Sequence, residues 1–474
     1  MKRLAPSVAL ATALLLLVLA VIAAWLFSLQ PGAFRWRDPG DSRLLGSVAA
    51  LLVYSVFFGL LHGRRRRLRK QQATEVGDAL LVIHSSQTGH AELLAQQTAQ
   101  ALQAAGTPAQ VLALESLDAA TLSNARRALF IASTTGEGDP PDGALRFIRQ
   151  VMTQAPELGD LQYGLLALGD REYQQFCAWG RRLDAWLQEQ GAASLFERID
   201  VDNADAAALG RWRSRIGVTQ WQEPEYRPWH LIERRQLNLG SAGAPCFHVA
   251  LAPASGNAEW TAGDVIAVQL PGDPPALRDY SIASLPADGS VHLLIRQTRR
   301  ADGSLGIGSG WLTQHGAIGD AVPALLRSNN SFHPPEDARP IILIGNGTGL
   351  AGLRALLKSR IAAGRHDNWL IFGERNAEHD FYYRDELLSW QDAGSLKQLD
   401  LVFSRDGDRH EYVQDRLRTR ADVLREWVSR GASIYVCGSA QGMATGVDEA
   451  LHAALGDAGV DSLRESGRYR RDVY

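Results

Sequence analysis

The sequence predicts an α/β multidomain chain: an N-terminal transmembrane helical hairpin, a doubly wound parallel sheet, and a module built from an antiparallel β-barrel and a second α/β unit. Three observations carry this expectation. Two long uncharged runs, Leu4–Phe27 and Leu44–Leu61, open the chain. Short apolar runs alternate with helical patterns over residues 79–220. A second alternation of apolar strand, glycine turn and helix begins at Ile341, after a stretch of strand-like segments. With 474 residues there is room for about three domains at roughly 150 residues each. The expected divisions are 1–70, 78–220, 228–330 and 338–474.

A bilayer core about 30 Å thick needs about 20 apolar helical residues, so both opening runs are long enough to span. The basic stretch RRRRLRK (Arg64–Lys70) follows the second run, and Lys2 and Arg3 precede the first. By the positive-inside rule both ends then face the cytoplasm. The expectation is a bacterial-type inner-membrane protein with two spans and its remaining domains in the cytoplasm. A cleaved signal peptide is the alternative for the first run. The formal charge of −3 gives no reason to expect nucleic-acid binding. The three cysteines (Cys177, Cys246, Cys437) are far apart, so neither a disulfide framework nor a zinc spacing is readable, and no metal is expected.

In the first α/β unit the strands are read at ALLVIH (79–84), AQVLAL (109–114), ALFIAS (128–133) and YGLLALG (163–169). Continuous apolar runs of this kind suit a parallel sheet covered on both faces, whose ligands sit beyond the carboxyl ends of the strands. Three loops lie there. SSQTGHAELLA (85–95) is a polar turn opening a helix, where Ser86, Thr88 and the backbone around Gly89 can donate to a phosphate. It has no lysine of the kind that reaches the outer phosphates of a triphosphate, so a single phosphomonoester is the natural load. For that loop alone, plain helix capping is the alternative. STTGEGDPPDG (133–143), with Thr134, Thr135 and Gly136, lets backbone approach a flat ring. LGDREYQQFCAWG (168–180) supplies Gly169, an aromatic face at Tyr173, and Phe176.

QWQEPEYRPWH (220–230) reads as a linker. After it, CFHVALA, DVIAVQL and RDYSIASLP (278–286) fit a small antiparallel barrel. Arg278 can neutralise a pyrophosphate, Tyr280 offers a ring and Ser281 a hydroxyl. GIGSGWL (306–312) is a glycine turn opening a helix, again suited to a pyrophosphate. IILIGNGTGLAGLRALL (341–357) is strand, glycine turn and helix, although its glycines lack the G-x-G-x-x-G spacing. Strands follow at NWLIFG, LDLVFS and SIYVCG. Ser404 and Arg405, at the end of one of them, suit a 2′-phosphate and favour NADP.

The three loops of the first unit resemble the FMN loops of the diflavin reductases, the family of cytochrome P450 reductase and the sulfite reductase flavoprotein. The resemblance implies a flavodoxin-like domain with Ser86, Gln87, Thr88, Gly89 and Ala91 at the phosphate and Tyr173 on the flavin face. RIDVDNAD (198–205) adds Asp202 near the flavin edge or ribityl chain. The later motifs resemble the ferredoxin–NADP reductase module. Arg278, Tyr280, Ser281, Gly308 and Ser309 match its FAD residues. Gly347, Thr348, Ser404, Arg405, Tyr412 and Gln414 match its NADPH residues. By the same resemblance Cys437 lies at the nicotinamide, and the tail RYRRDVY puts Asp472 near the reaction centre and Tyr474 on the FAD. The catalytic set is thus Ser281, Cys437, Asp472 and Tyr474, with Ser281 and Cys437 orienting the hydride.

There are departures from the family. His90 replaces Thr or Asn, Thr135 a stacking tyrosine, His410 a lysine, and Asn346 and Gly352 prolines. The long helical connecting region before the RxYS motif is missing. The implied activity is a membrane-anchored NADPH-dependent diflavin reductase passing electrons from NADPH to FAD, FMN and a one-electron acceptor, such as a haem protein or a membrane electron carrier. A sulfite reductase flavoprotein component, or an inner-membrane ferric-chelate or flavin reductase, is the alternative.

Overall fold

The computed structural model describes residues 79–135, 138–171, 174–202, 205–272, 275–407 and 410–474. The two uncharged runs and the basic flank lie outside these residues, as do Gly136, Tyr173 and Arg409. Among the described residues no helix is long and apolar enough to cross a membrane. The longest unbroken one, His90–Ala104, has 15 residues, and the stretch Thr445–Glu465 is broken by a kink at Gly456. The expected placement as a two-span inner-membrane protein is corrected on that finding.

The first sheet contains β1 (Leu80–Ser85), β2 (Ala109–Ala113), β3 (Arg127–Ser133), β4 (Gln162–Gly169), β5 (Ala193–Ser194) and β6 (Ile199–Asp202). All pairings are parallel in the order β2-β1-β3-β4-β5, with β6 also on β4. Residues of β1 alternate between two cores. Leu81 and Ile83 meet Phe130, Leu165 and Trp179 on one face. Leu80 and Val82 meet Leu129, Leu166 and Trp212 on the other. Burial on both faces is why these strands read as unbroken apolar runs.

The second sheet is antiparallel. Its strands are β7 (Arg227–Gln236), β8 (Cys246–Pro253), β9 (Val265–Leu270), β10 (Ala276–Ser281), β11 (Val291–Arg296) and β12 (Ala321–Arg327). They run in the order β10-β9-β12-β7-β8-β11 around one core that includes Trp229, Leu231, Val249, Val268, Leu293 and Val322. The stretch read as linker through His230 ends earlier, because alternation buries Trp229 and Leu231 and makes strand from Arg227.

The third sheet is parallel: β13 (Ile341–Asn346), β14 (Asn368–Glu374), β15 (Gln398–Phe403), β16 (Ser433–Gly438) and β17 (Tyr469–Val473). The order is β15-β14-β13-β16-β17, so its switch point lies between β13 and β16. That of the first sheet lies between β1 and β3. Ligands of open α/β sheets bind at such points, beyond the carboxyl ends of the strands.

Two histidines of the second sheet pack together, one of them against the turn before the helix Arg384–Asp392. His248 on β8 is 2.9 Å from the Tyr383 hydroxyl, and its ring meets His292 of β11 edge-on at 4.8 Å. Burial pushes both imidazoles down to about 4. An unfolded histidine titrates near pH 6.5, so between about 6.5 and 4 the unfolded chain binds protons that the native one refuses. Stability is therefore expected to be full above pH 6.5 and to fall as pH drops through that window. Thermal unfolding followed from pH 7.5 to 5 should show a declining Tm, less steep in a His248→Leu, His292→Leu variant. A flat Tm over that range would contradict this.

Candidate active site

A cavity of about 1410 Å³ lies where the second and third sheets meet. The antiparallel sheet contributes Arg278, Tyr280 and Ser281 from β10, with Gly308 and Ser309 from the short helix Ile307–Gly310. From the carboxyl ends of the third sheet come Gly347, Thr348, Ser404, Tyr412 and Gln414. The tail adds Asp472 and Tyr474, and Thr88 enters from the first unit. Residues scattered over most of the chain thus share one space. Such a volume exceeds the usual 300–1,000 Å³ of a single-ligand pocket.

At one corner Ser281 Oγ donates to Asp472 Oδ2 at 2.7 Å, and Cys437 Sγ lies 3.8 Å from the same oxygen. The register of β16 on β17 sets Cys437 directly opposite Asp472. Burial raises the Asp472 carboxyl above the usual range, against the pull of the Ser281 and Cys437 hydrogen bonds. Burial also pushes the Cys437 thiol well up, and the Asp472 charge adds to it. Such a thiol stays protonated at neutral pH, which suits positioning and not nucleophilic attack. Cys437 itself is fully buried and stands behind the cavity wall.

Tyr474 is anchored chiefly through its backbone. Tyr474 N donates to Gly438 O at 3.0 Å, Ala440 N donates to Tyr474 O at 3.0 Å, and its hydroxyl is 3.3 Å from Thr348 Oγ1. Across the cavity, Gly308 packs flat on β10: a Cβ there would stand 2.5 Å from the Tyr280 hydroxyl. A side chain at this position would have to displace the Tyr280 hydroxyl and the Arg278 stem.

Ser404 and Arg405 are held at the rim by backbone, Ser404 N to Glu374 O at 2.9 Å and Arg405 N to Arg375 O at 2.7 Å. His410 Nδ1 is 2.6 Å from Ser404 O. Arg405 is exposed and does not line the cavity, whereas Arg375 does. Sequence reasoning missed Arg375, Glu374 and Arg296. The signal for Glu374 and Arg375 was present, since they sit at the carboxyl end of β14. Arg296 reaches Glu374 and Tyr382 from another sheet, which no local pattern reveals.

In the first unit, Ser86 and Thr134 each present a buried hydroxyl with no protein partner. Both sit at the switch point, at the start of the helix His90–Ala104 and at the end of β3. Buried polar groups are normally satisfied, so a pair of orphans beside a helix start fits a bound phosphate. Ser86, Gln87 and Gly89 also border a second cavity of about 500 Å³. Other expected residues are placed differently. Ala91 is fully buried in the core beneath its helix, so only its backbone is available. Thr135 spends its hydroxyl on Asp139 O at 3.0 Å. Gln87 turns its amide toward the C-terminal strand, 2.5 Å from Arg471 O. Gly169 ends β4 opposite Asp202. The Asp202 carboxylate accepts from Arg171 N at 3.1 Å, and Arg171 covers the Phe176 ring at 5.1 Å.

Comparison with known proteins separates the same parts. Residues 82–211 match the family model for flavodoxin, and residues 343–449 match the oxidoreductase NAD-binding domain. The sulfite reductase [NADPH] flavoprotein alpha-component of Vibrio cholerae serotype O1 is 28% identical, covering 85% of this chain and 89% of its own length. That of Neisseria meningitidis serogroup C is 27% identical, with 84% and 89% covered. The protein is a diflavin oxidoreductase that uses NADPH. Its cofactors are FMN, in the flavodoxin unit, and FAD with NADPH in the reductase part. The Vibrio alignment runs over 547 positions, more than the 474 residues of this chain, so the relative carries segments with no counterpart here.

Arg278 shares the cavity lining with Arg296, Arg299, Arg300 and Arg375, and is the one expected to meet the FAD pyrophosphate. A charge-assisted hydrogen bond contributes about 1.5–3 kcal/mol, or roughly ten- to a hundredfold in affinity. Purified Arg278→Ala protein is therefore expected to lose most of its FAD while its FMN content stays unchanged. Equal FAD content in the two proteins, measured on denatured samples, would contradict the assignment.

Proposed function

We propose that this oxidoreductase relays electrons from NADPH through FAD and FMN to a one-electron haem-protein acceptor, in the role of the flavoprotein component of a sulfite reductase. The observation that carries the reading is the shared cavity: Thr88 of the FMN loop lines the same space as Arg278, Ser281 and Tyr474. The relatives support the sulfite reductase role more strongly than that of a reductase for a haem protein of another kind, since their names specify NADPH and a flavoprotein component.

The bound flavins supply the conversion of a two-electron hydride into single electrons. The chain's own residues do the rest. Arg278 and the backbone at Gly306 would hold the pyrophosphate of FAD, and Tyr280 would pack against its ring system. Ser404, with Arg375 and Arg405 nearby, would meet the 2′-phosphate of NADPH. Tyr474, anchored by its backbone, would cover the flavin face, and its side chain would have to swing aside for nicotinamide to reach it. Ser281 orients the reacting face and is held by Asp472. Asp472, buried with its carboxyl raised by that burial, accepts from Ser281 Oγ and fixes the direction of that hydroxyl, and Cys437 packs behind without ionising.

Positioned acid–base groups contribute about 10²–10⁴ in rate. Asp472→Asn is thus expected to slow FAD reduction by NADPH about a hundredfold and to flatten its pH dependence on the acid side. Stopped-flow bleaching near the flavin absorption maximum reads this, and an unchanged rate and pH profile would remove Asp472 from the site. The role itself is tested by adding the haem-protein component of a sulfite reductase. Sulfite-dependent NADPH oxidation is expected, and NADPH oxidation indifferent to sulfite would exclude that acceptor.

A further inference from the structure

The third sheet reaches the first unit through its last strand. Arg471 of β17 directs three N–H groups at one carboxylate of the loop after β3. Its backbone N lies 3.1 Å from Asp142 Oδ2, and its Nε and Nη2 lie 3.0 and 2.7 Å from Asp142 Oδ1. Both side chains are largely shielded, at 18% and 13% exposure. Gln87 completes the group: its Oε1 accepts from Asp142 N at 2.9 Å while its amide donates to Arg471 O.

Further contacts flank it. Ser331 Oγ donates to Gln87 O at 2.7 Å. Gly89, at φ 78°, fits so closely that a Cβ would stand 2.1 Å from Ser328 O. Arg149, on the helix Ala144–Gln150, pairs with Asp461 and, at 2.9 Å, with Glu465.

We propose that Arg471, Asp142 and Gln87 form a clasp that holds the FMN loops against the FAD cavity. Arg471 and Asp142 then act as positioning residues for electron passage between the flavins. The inference rests on the relay reading above and deepens it. The electron leaving one flavin is the electron gained by the other, so no further reactant enters. The geometry explains why Gln87 is turned from the phosphate. It also explains how two flavin units can meet without the connecting region that the family inserts. A desolvated pair of this kind costs much when one partner is removed, because the other is left charged and unpaired.

The test compares holoprotein carrying Arg471→Gln, Asp142→Asn, or the exchange Asp142→Arg with Arg471→Asp. In stopped flow with NADPH, the single variants should reduce FAD at the unaltered rate and show a later, FMN-linked phase slowed at least tenfold. Hydrogen exchange, without NADPH, should be faster than in the unaltered protein over 86–92 and 328–331. The exchanged pair should recover both readouts at least in part. Single variants with unaltered exchange and an unaltered second phase would overturn the clasp. Failure of NADPH to reduce FAD in the unaltered protein would instead defeat the relay reading, and the exchange experiment, which needs no turnover, still decides the clasp.

Discussion

Strand β17 is the constraint on which the site depends. A strand sends successive side chains to opposite faces. Tyr469 and Val473 pack against the core shared by the third sheet and its outer helices, and Arg471 between them points toward the flavodoxin unit. Arg470 and Asp472 face the other way, to His333 O and to Ser281. Pairing with β16 fixes this alternation, since it locks Cys437 opposite Asp472. A slip of one residue would send Arg471 into the cavity and Asp472 toward the first unit, losing the hydride corner and the interdomain contact together.

The energetics of the interdomain contact favour specificity over strength. Shielded ion pairs gain little net stability, because desolvation offsets most of their attraction. Little is required here. The segment from Ile216 to Tyr226 joins the last helix of the first unit to β7. It is pinned to the first unit by Gln97 Nε2 on Gln222 O at 2.9 Å and by Arg213 over Trp221. A short tether gives an effective concentration of about millimolar, at which weak contacts suffice to select one arrangement. The clasp then decides which faces meet, and the tether decides that they meet at all.

Much of this was legible in the sequence. Both parallel sheets were readable because burial on two faces leaves unbroken apolar runs, as in Leu80–Ile83 and Ile341–Ile344. The loops at their carboxyl ends followed from the same logic, and most of the expected FAD and NADPH residues share one cavity. What stayed hidden depends on distant partners. Gln87 was expected at the phosphate from the resemblance of its loop, yet Arg471, far along the chain, claims its amide. Arg296 and Glu374 lie on different sheets. Strand β7 was half hidden in a polar, proline-bearing stretch, because only Trp229 and Leu231 mark its buried face.

The most direct measurement is the flavin released on denaturing the purified protein. The account predicts one FMN and one FAD per chain, in equal amounts. FAD alone, or FMN alone, in an otherwise folded protein would contradict it.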